Sequence, residues 1–286
     1  MMGGNGSERG WGEQVERPNW APGDIDLERP SVARVYDYYL GGAHNFAADR
    51  AVAQKTLESM PDLRSIVLNH RAFLRRAVSY LLGRGVRQFL DLGSGIPTVG
   101  NVHEIAQSAD PSAKVVYVDM DPVAVAHSRL LLEGNDRVNV LQADVRDWKS
   151  VLAAREVNDL LDFDEPVAVL MIALLHFVSD DENPAAIIGG YRDRLAPGSF
   201  LAMSHAGYEA DEETPELREA RKVYESSVTR TALRDSAEIT RLFDGFELVE
   251  PGVVRLPAWH PESAEDAGAS GGAFPSFGAV GRKAQR

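Results

Sequence analysis

The 286-residue chain has no cysteine. Disulfides, thiolate metal sites and a cysteine nucleophile are therefore excluded. Positive charge is scarce: 30 lysines and arginines stand against 43 acidic residues, a formal net charge of −13. A surface that follows a phosphate backbone needs clustered cations, so nucleic acid is not an expected partner. The seven histidines include no His-x-x-x-His pair, and no metal centre is expected. Long apolar runs are missing too, since none reaches the ~20 residues that cross a bilayer. The Gly- and Ser-rich amino terminus has no apolar core of the kind a secretory signal carries. These absences point to a cytoplasmic protein. With 44% hydrophobic residues the chain can still bury a full α/β core. Residues 1–26 read as a disordered polar segment and residues 27–286 as a single domain.

What is present is concentrated at Phe89 to Thr98, FLDLGSGIPT. An apolar strand ends in an acid and breaks into a Gly-x-Gly turn, where Gly93 and Gly95 let the backbone approach a ligand closely. Pro97 is expected in the first turn of the helix that follows. Val99, Val102, Ile105 and Ala106 lie on one helical face, and Lys114 to Asp121 forms the second strand of a βαβ unit. Asp119 at its end can accept from both hydroxyls of a ribose. Alternatively, Asp119 or Asp121 caps the helix that Pro122 opens, a role that suits Asp121 better. The third strand, Val138 to Asp144, delivers Asp144, which can accept from an adenine amino group while the Val145 N–H meets a ring nitrogen; the other reading makes Asp144 a helix cap. Thr98 stands where a dinucleotide fingerprint has its third glycine, and Asp91 is an acid that fingerprint does not ask for. Both departures point away from NAD.

Three stretches carry a specific resemblance: PSVARVYDYYLGGAHNFAADR at Pro30 to Arg50, NHRAFLRRAV at Asn69 to Val78, and QFLDLGSGIPT at Gln88 to Thr98. EPGVVRLPAWHP at Glu250 to Pro261 and GAVGRK at Gly278 to Lys283 extend it. Across about residues 27 to 284 the chain resembles an S-adenosylmethionine-dependent methyltransferase family abundant in actinobacteria, whose acceptors are largely undefined. His44, where a residue such as Lys is expected, and His70, which interrupts an Asn-Arg pair, depart from that pattern. The resemblance implies an α/β, Rossmann-like class I methyltransferase fold: a mostly parallel sheet with a final antiparallel strand and an N-terminal helical cap over about 27–83. The implied cofactor is S-adenosyl-L-methionine. The candidate cofactor-binding set is Asp91, Gly93, Ser94, Gly95, Asp119, Met120, Asp144, Val145, Ala173, Arg71 and Asn45. Arg71 can pair with the cofactor carboxylate or share the solvated helix face expected for Arg75 and Arg76.

A helix is expected after Ser31, with Val32, Val35, Tyr36, Tyr39 and Leu40 as its stripe and Gly41–Gly42 as its stop. The cap loop brings His44, Asn45 and Phe46. Ser150 to Leu161 reads as helix and Pro166 to Val178 as a fourth strand buried on both faces. His176 at its end is either a general base or a packed, hydrogen-bonded residue. Asn183–Pro184 opens a helix, and Ser199 to His205 is strand five. Tyr39, His44, His176, His205, Tyr208 and Trp259 are the substrate-pocket candidates, with no catalytic residue assigned. Residues 207–243 read as a lid insertion. Phe246 to Val254 and Phe274 to Gly281 read as an antiparallel pair joined by a loop, Glu262 to Ala273.

Methyl transfer depends chiefly on positioning, and a base is needed only when the nucleophile arrives protonated. The leading expectation is methyl transfer to a small-molecule acceptor. The alternatives are a cofactor-binding regulator without turnover and, more weakly, an NAD-dependent oxidoreductase.

Overall fold

The protein is described as a computed structural model for residues 26–97, 100–227, 229–263 and 276–284. The expected amino-terminal disorder falls outside these residues except at Asp26, and so do Thr98, Val99, most of the expected 262–273 loop and Phe274. Three helices come first: α1 (Val32–Tyr39), α2 (Ala47–Ser59) and α3 (Leu63–Gly83). An alternating region follows, with β1 (Gln88–Leu92), α4 (Val102–Ala109), β2 (Lys114–Asp119), α5 (Pro122–Leu131), β3 (Val138–Gln142), α6 (Trp148–Ala153), α7 (Arg155–Asn158), β4 (Ala168–Ile172), α8 (Pro184–Arg194) and β5 (Phe200–Ala206). The chain closes with α9 (Pro215–Ser227), α10 (Ser236–Leu242), β6 (Phe246–Leu248), β7 (Val254–Arg255) and β8 (Ser276–Lys283).

The strand order is β3-β2-β1-β4-β5-β8-β6, and β7 also pairs with β8. Pairings from β3 through β5 are parallel, while β8 runs antiparallel to β5, β6 and β7. This is the Rossmann-like arrangement expected. It reverses direction between β1 and β4, so the carboxyl ends of these strands frame a crevice. Side chains alternate across the sheet. Phe89, Val115, Ala168 and Phe200 pack on the α3 and α4 side, and Leu90, Val116, Val169 and Leu201 pack on the α6, α8 and α10 side.

Local boundaries depart from expectation at points that matter for the site. The apolar run after Pro166 is not all strand: β4 stops at Ile172, Ala173 turns with φ 53°, and Leu175–Phe177 forms a 3₁₀ turn. The run stays apolar because that turn is buried as well, with Leu175 fully covered. Pro97 does not open α4. Its start is set by Glu104, whose carboxylate accepts the Gly100 and Asn101 N–H groups at 2.8 Å each. Ser150 to Leu161 forms two helices divided at extended Ala154. The 207–243 insertion also divides: α9 packs on α2, while Ile239, Leu242 and Phe243 around α10 belong to the core. The Phe246 to Val254 strand is two short ones, β6 and β7, each on β8.

Candidate functional site

The turn after β1 is held from below. Gly93 and Ser94 donate their N–H groups to the Val118 carbonyl at 2.8 and 3.2 Å, so the loop sits against the end of β2. Gly93 (φ 71°) and Gly95 (φ 65°) both occupy the left-handed region, which only glycine adopts without strain. Their surroundings differ. A Cβ on Gly93 would come within 2.6 Å of Leu174, whereas Gly95 has nothing within 4 Å on that side. Gly93 is required by packing, and Gly95 leaves an open face.

Asp119 closes the turn. One carboxylate oxygen accepts the Gly95 N–H at 2.7 Å and the other the Asp121 N–H at 2.8 Å. Asp121 is the cap of α5, accepting from Val123 and Ala124, so the capping role falls to it and not to Asp119. The Met120 N–H acts on the same carboxylate, and of its roughly four acceptor sites about one is left over. Burial raises the Asp119 carboxyl to about 6 against the effect of these N–H groups. Asp91, on the α3 side of β1, is raised further, to about 7, by burial and by Asp119, with Arg71 acting in the opposite direction. Met120, 62% exposed, lies open beside Asp119.

Asp144 follows β3. Its carboxylate takes the Arg146 N–H and guanidinium at 2.9 Å, which holds it below its ordinary range; the cap of α6 is Asp147 instead, accepting from Ser150. Val145 is buried, and its carbonyl accepts from the Tyr191 hydroxyl at 2.9 Å. Arg71 donates to the Gly100 carbonyl at 2.8 Å, just before α4, and is half-buried rather than free in solvent. Arg75 is the solvated member, paired with Glu262. Arg76 corrects the expectation: it is buried and donates to the Leu256 and Trp259 carbonyls at 2.7 and 2.9 Å, fastening the carboxyl-terminal segment to α3.

The cap loop reaches this turn. Phe46 packs with Ile96, Val123 and Ala124, and the His44 ring lies 3.5 Å from that of His127 on α5. Asp37 shapes the loop by accepting the His44 N–H and the Asn45 amide at 2.9 Å each. The Asn45 amide also donates to the Gly42 carbonyl at 2.9 Å, so this side chain serves the loop itself. Asp49 orders the cap from the other side, accepting from Ser31, Phe46 and the buried Arg34.

At the ends of β4 and β5 the structure assembles three buried histidines, His70, His176 and His205. The His176 ring centroid is 6.3 Å from that of His70 and 5.7 Å from that of His205. His70, set aside in the sequence as a departure from a pattern, faces Ser204 at 2.7 Å. His205 is satisfied at both nitrogens: Nδ1–H donates to the Ala206 carbonyl at 2.7 Å, and Nε2 accepts from Arg234 at 2.9 Å. Arg234, absent from every sequence candidate set, also donates to the Leu175 and Val178 carbonyls and to Asp180. It thus binds the 207–243 insertion to the turn that bears His176. The Ala232 N–H donates to the His176 carbonyl at 2.8 Å, and a Cβ on Gly207 would lie 1.9 Å from the Arg234 carbonyl oxygen, so the start of the 207–243 insertion and its later part meet here. No local sequence signal marks Arg234, because its partners lie 29 to 59 residues away.

Burial lowers all three imidazoles, His70 to about 4 and His205 to about 3, and His176 well below its ordinary value with Arg234 and its neighbours adding to the effect. Among the described residues no group of His, Asp or Glu is arranged to hold a metal ion. Phe177 stacks with Tyr224 of α9 at 6.5 Å, and Tyr39 is buried with its hydroxyl unbonded. Tyr208 donates to Glu213 at 2.5 Å. Trp259 does not line this edge. It is wholly buried between Phe73 and Tyr80, ring centroids 5.2 and 5.6 Å away, because an indole of that size completes the core beneath α3.

A family model described as S-adenosyl methyltransferase matches residues 18–284. The chain belongs to this family. Among solved structures, a candidate methyltransferase from Thermobifida fusca YX is 40% identical, with a TM-score of 0.87 over 94% of this chain and 100% of that one. A DUF574 family protein from Streptomyces avermitilis MA-4680 is 39% identical, with a TM-score of 0.85 over 90% and 99% of the two chains. A release factor glutamine methyltransferase from Bordetella pertussis is 30% identical over 73% of this chain and 76% of its own length.

This family member is an S-adenosylmethionine-dependent methyltransferase. The residues at the β1–β2 edge fit that cofactor. Gly95 offers a cradle that a side chain would fill, Asp119 keeps acceptor capacity beside it, and Asp91 is a buried carboxylate suited to a cationic group. Among the described residues no helix is long and apolar enough to cross a membrane.

Proposed function

We propose that the protein binds S-adenosylmethionine at the ends of β1, β2 and β3 and methylates a small-molecule acceptor held at the ends of β4 and β5, beneath the cap and α9. The carrying observation is Asp119, anchored by the Gly95 and Asp121 N–H groups at the open face of the glycine turn and still with acceptor capacity. In this reading Asp119 takes the ribose hydroxyls, the Gly93–Gly95 backbone lies along the cofactor, and Met120 covers the adenine. Asp144 and Val145 meet the adenine edge, Asp91 balances the amino group, and Arg71 faces the carboxylate. Ala173 lies at the junction with the acceptor side. The cofactor supplies an electrophilic methyl group, and the chain supplies alignment. The aromatic pair Phe177 and Tyr224 supports an acceptor of modest size with an apolar body.

Calorimetry with S-adenosylhomocysteine tests the cofactor half of this reading, with binding to the intact protein and its loss in Asp119→Ala expected. An acceptor screen that follows S-adenosylhomocysteine release tests turnover. Binding without release from any acceptor pool would favour the regulator reading, and no response to the homocysteine product alongside binding of NAD would overturn both.

A further inference from the structure

The acceptor side is described above by its walls, but two of its imidazoles are already committed in their hydrogen bonding. The Ser204 hydroxyl oxygen accepts the Ala173 N–H at 3.0 Å and lies 2.7 Å from His70 Nδ1, and we assign its O–H as the donor to that nitrogen. The Ala206 N–H is directed at His176 Nδ1 over 3.4 Å. In both rings Nδ1 is therefore an acceptor, and the one proton of a neutral imidazole resides on Nε2. Neither Nε2 meets a protein acceptor among the described residues. His205 is different: both its nitrogens are used, and its proton is on Nδ1. Two donors are thus presented on rings whose centroids are 6.3 Å apart, a spacing that one small anionic group spans. The charged side chain acting on His176 is Arg234, and its partner Asp180 stands out in solvent at 86% exposure. The local field favours negative charge.

We propose that the Nε2–H groups of His70 and His176 form a paired donor site for an anionic oxygen of the acceptor, so that the acceptor is a small oxyacid with a planar apolar body. This rests on the proposed function in taking the β4–β5 edge as the acceptor site. His176 is then a binding and orienting residue and not a general base, because the nitrogen facing the ligand already carries a proton. An acceptor of this kind arrives ionised and needs no base. His70 binds alongside it, and Ser204 is a positioning residue that sets the His70 tautomer.

The test begins with protein saturated with S-adenosylhomocysteine, to which benzoate, 4-nitrophenolate, benzyl alcohol and benzylamine are added in turn. Benzoate or 4-nitrophenolate should bind at least tenfold more tightly than benzylamine, the stronger of the two indicating whether the oxygen is carboxylate or phenolate. His70→Leu and His176→Leu should each weaken that anion at least tenfold while moving S-adenosylhomocysteine affinity less than threefold, and His70→Gln should restore part of the loss. Imidazole nitrogen NMR of the unmodified protein gives a readout that does not depend on the variants folding: Nε2–H tautomers at His70 and His176, with both resonances shifted by the anion. Nδ1–H tautomers there, a preference for benzylamine, or no binding of either anion would overturn the inference. Failure of S-adenosylhomocysteine to bind in the first titration is a separate result, and it would overturn the proposed function itself.

Discussion

The two halves of the sheet edge handle buried polarity in opposite ways. On the β1–β2 side the polar groups are carboxylates, Asp91 and Asp119, pushed up by burial to about 7 and about 6. On the β4–β5 side they are imidazoles pushed down, His70 to about 4 and His205 to about 3. In each case desolvation favours the neutral form. The difference lies in what relieves it. In the proposed reading a cationic ligand restores charge to the carboxylates, whereas the histidines keep their neutrality and offer hydrogen bonds.

Glycine substitutions give the largest expected break between the halves. Gly93→Val forces a branched residue to φ 71° and into Leu174, which should destabilise the fold by roughly 3 kcal/mol or more and disturb both edges at once. Gly95→Val, with open space beside it, should lose roughly 1–2 kcal/mol of stability but abolish S-adenosylhomocysteine binding. Urea denaturation paired with calorimetry separates the two, and equal stability losses would show that the packing contrast is wrong. Arg234→Ala comes next. It leaves His205 and two buried carbonyls without their donor, at a cost of about 3 kcal/mol, measurable in the same denaturation series. Cofactor affinity in that variant should stay within threefold, because its contacts all lie on the other half.

Asp119→Ala should weaken S-adenosylhomocysteine binding by about 1.5–3 kcal/mol, the scale of hydrogen bonds to a charged group, by calorimetry on protein of unchanged circular dichroism. The pH response sharpens the comparison further. Asp91 and Asp119 have folded values above the ~4 of a free carboxyl, so from about pH 7 down toward 4 the folded state holds more protons than the unfolded one, and their contribution to the stability of the ligand-free protein rises as pH falls. His70 and His205 have lowered folded values; their contribution is complete above ~6.5 and is lost as pH falls toward 4. Denaturation midpoints across this range should therefore move in opposite directions relative to wild type in Asp91→Asn and His70→Gln. Cofactor affinity should fall below about pH 7 as Asp91 takes up a proton. The smallest effect belongs to Asn45→Ala, which removes the side chain's three hydrogen bonds to Asp37, Gly42 and Arg50 around the cap loop, about 1 kcal/mol. Hydrogen exchange should show faster exchange over His44 to Arg50 with the sheet unchanged.

The two halves also differ in how far they could be read in advance. Asp91, Gly93, Gly95, Asp119 and Asp121 are set by short-range rules: a strand period, a turn that needs left-handed backbone, and a cap before proline. Each of these operates over a few residues, and a linear sequence displays it. The β4 boundary was misjudged because hydrophobicity reports burial and not conformation, and a buried 3₁₀ turn is as apolar as a strand. Arg76 and Trp259 were misassigned for a related reason: an arginine on an amphipathic helix and a tryptophan near a chain end gain partners only when the carboxyl-terminal segment lies across α3.

The sequence by itself therefore determined the alternation of strands and helices and the glycine turn, which follow from local periodicity and backbone preference, and the family resemblance supplied the class of fold. Only the tertiary structure decided the β4–β5 edge. His70 meets Ser204 across 134 residues, and Arg234 reaches His205 across 29. Such pairs are selected by burial, where a polar group must find whatever partner the fold brings within 3 Å, and no spacing rule along the chain records that encounter.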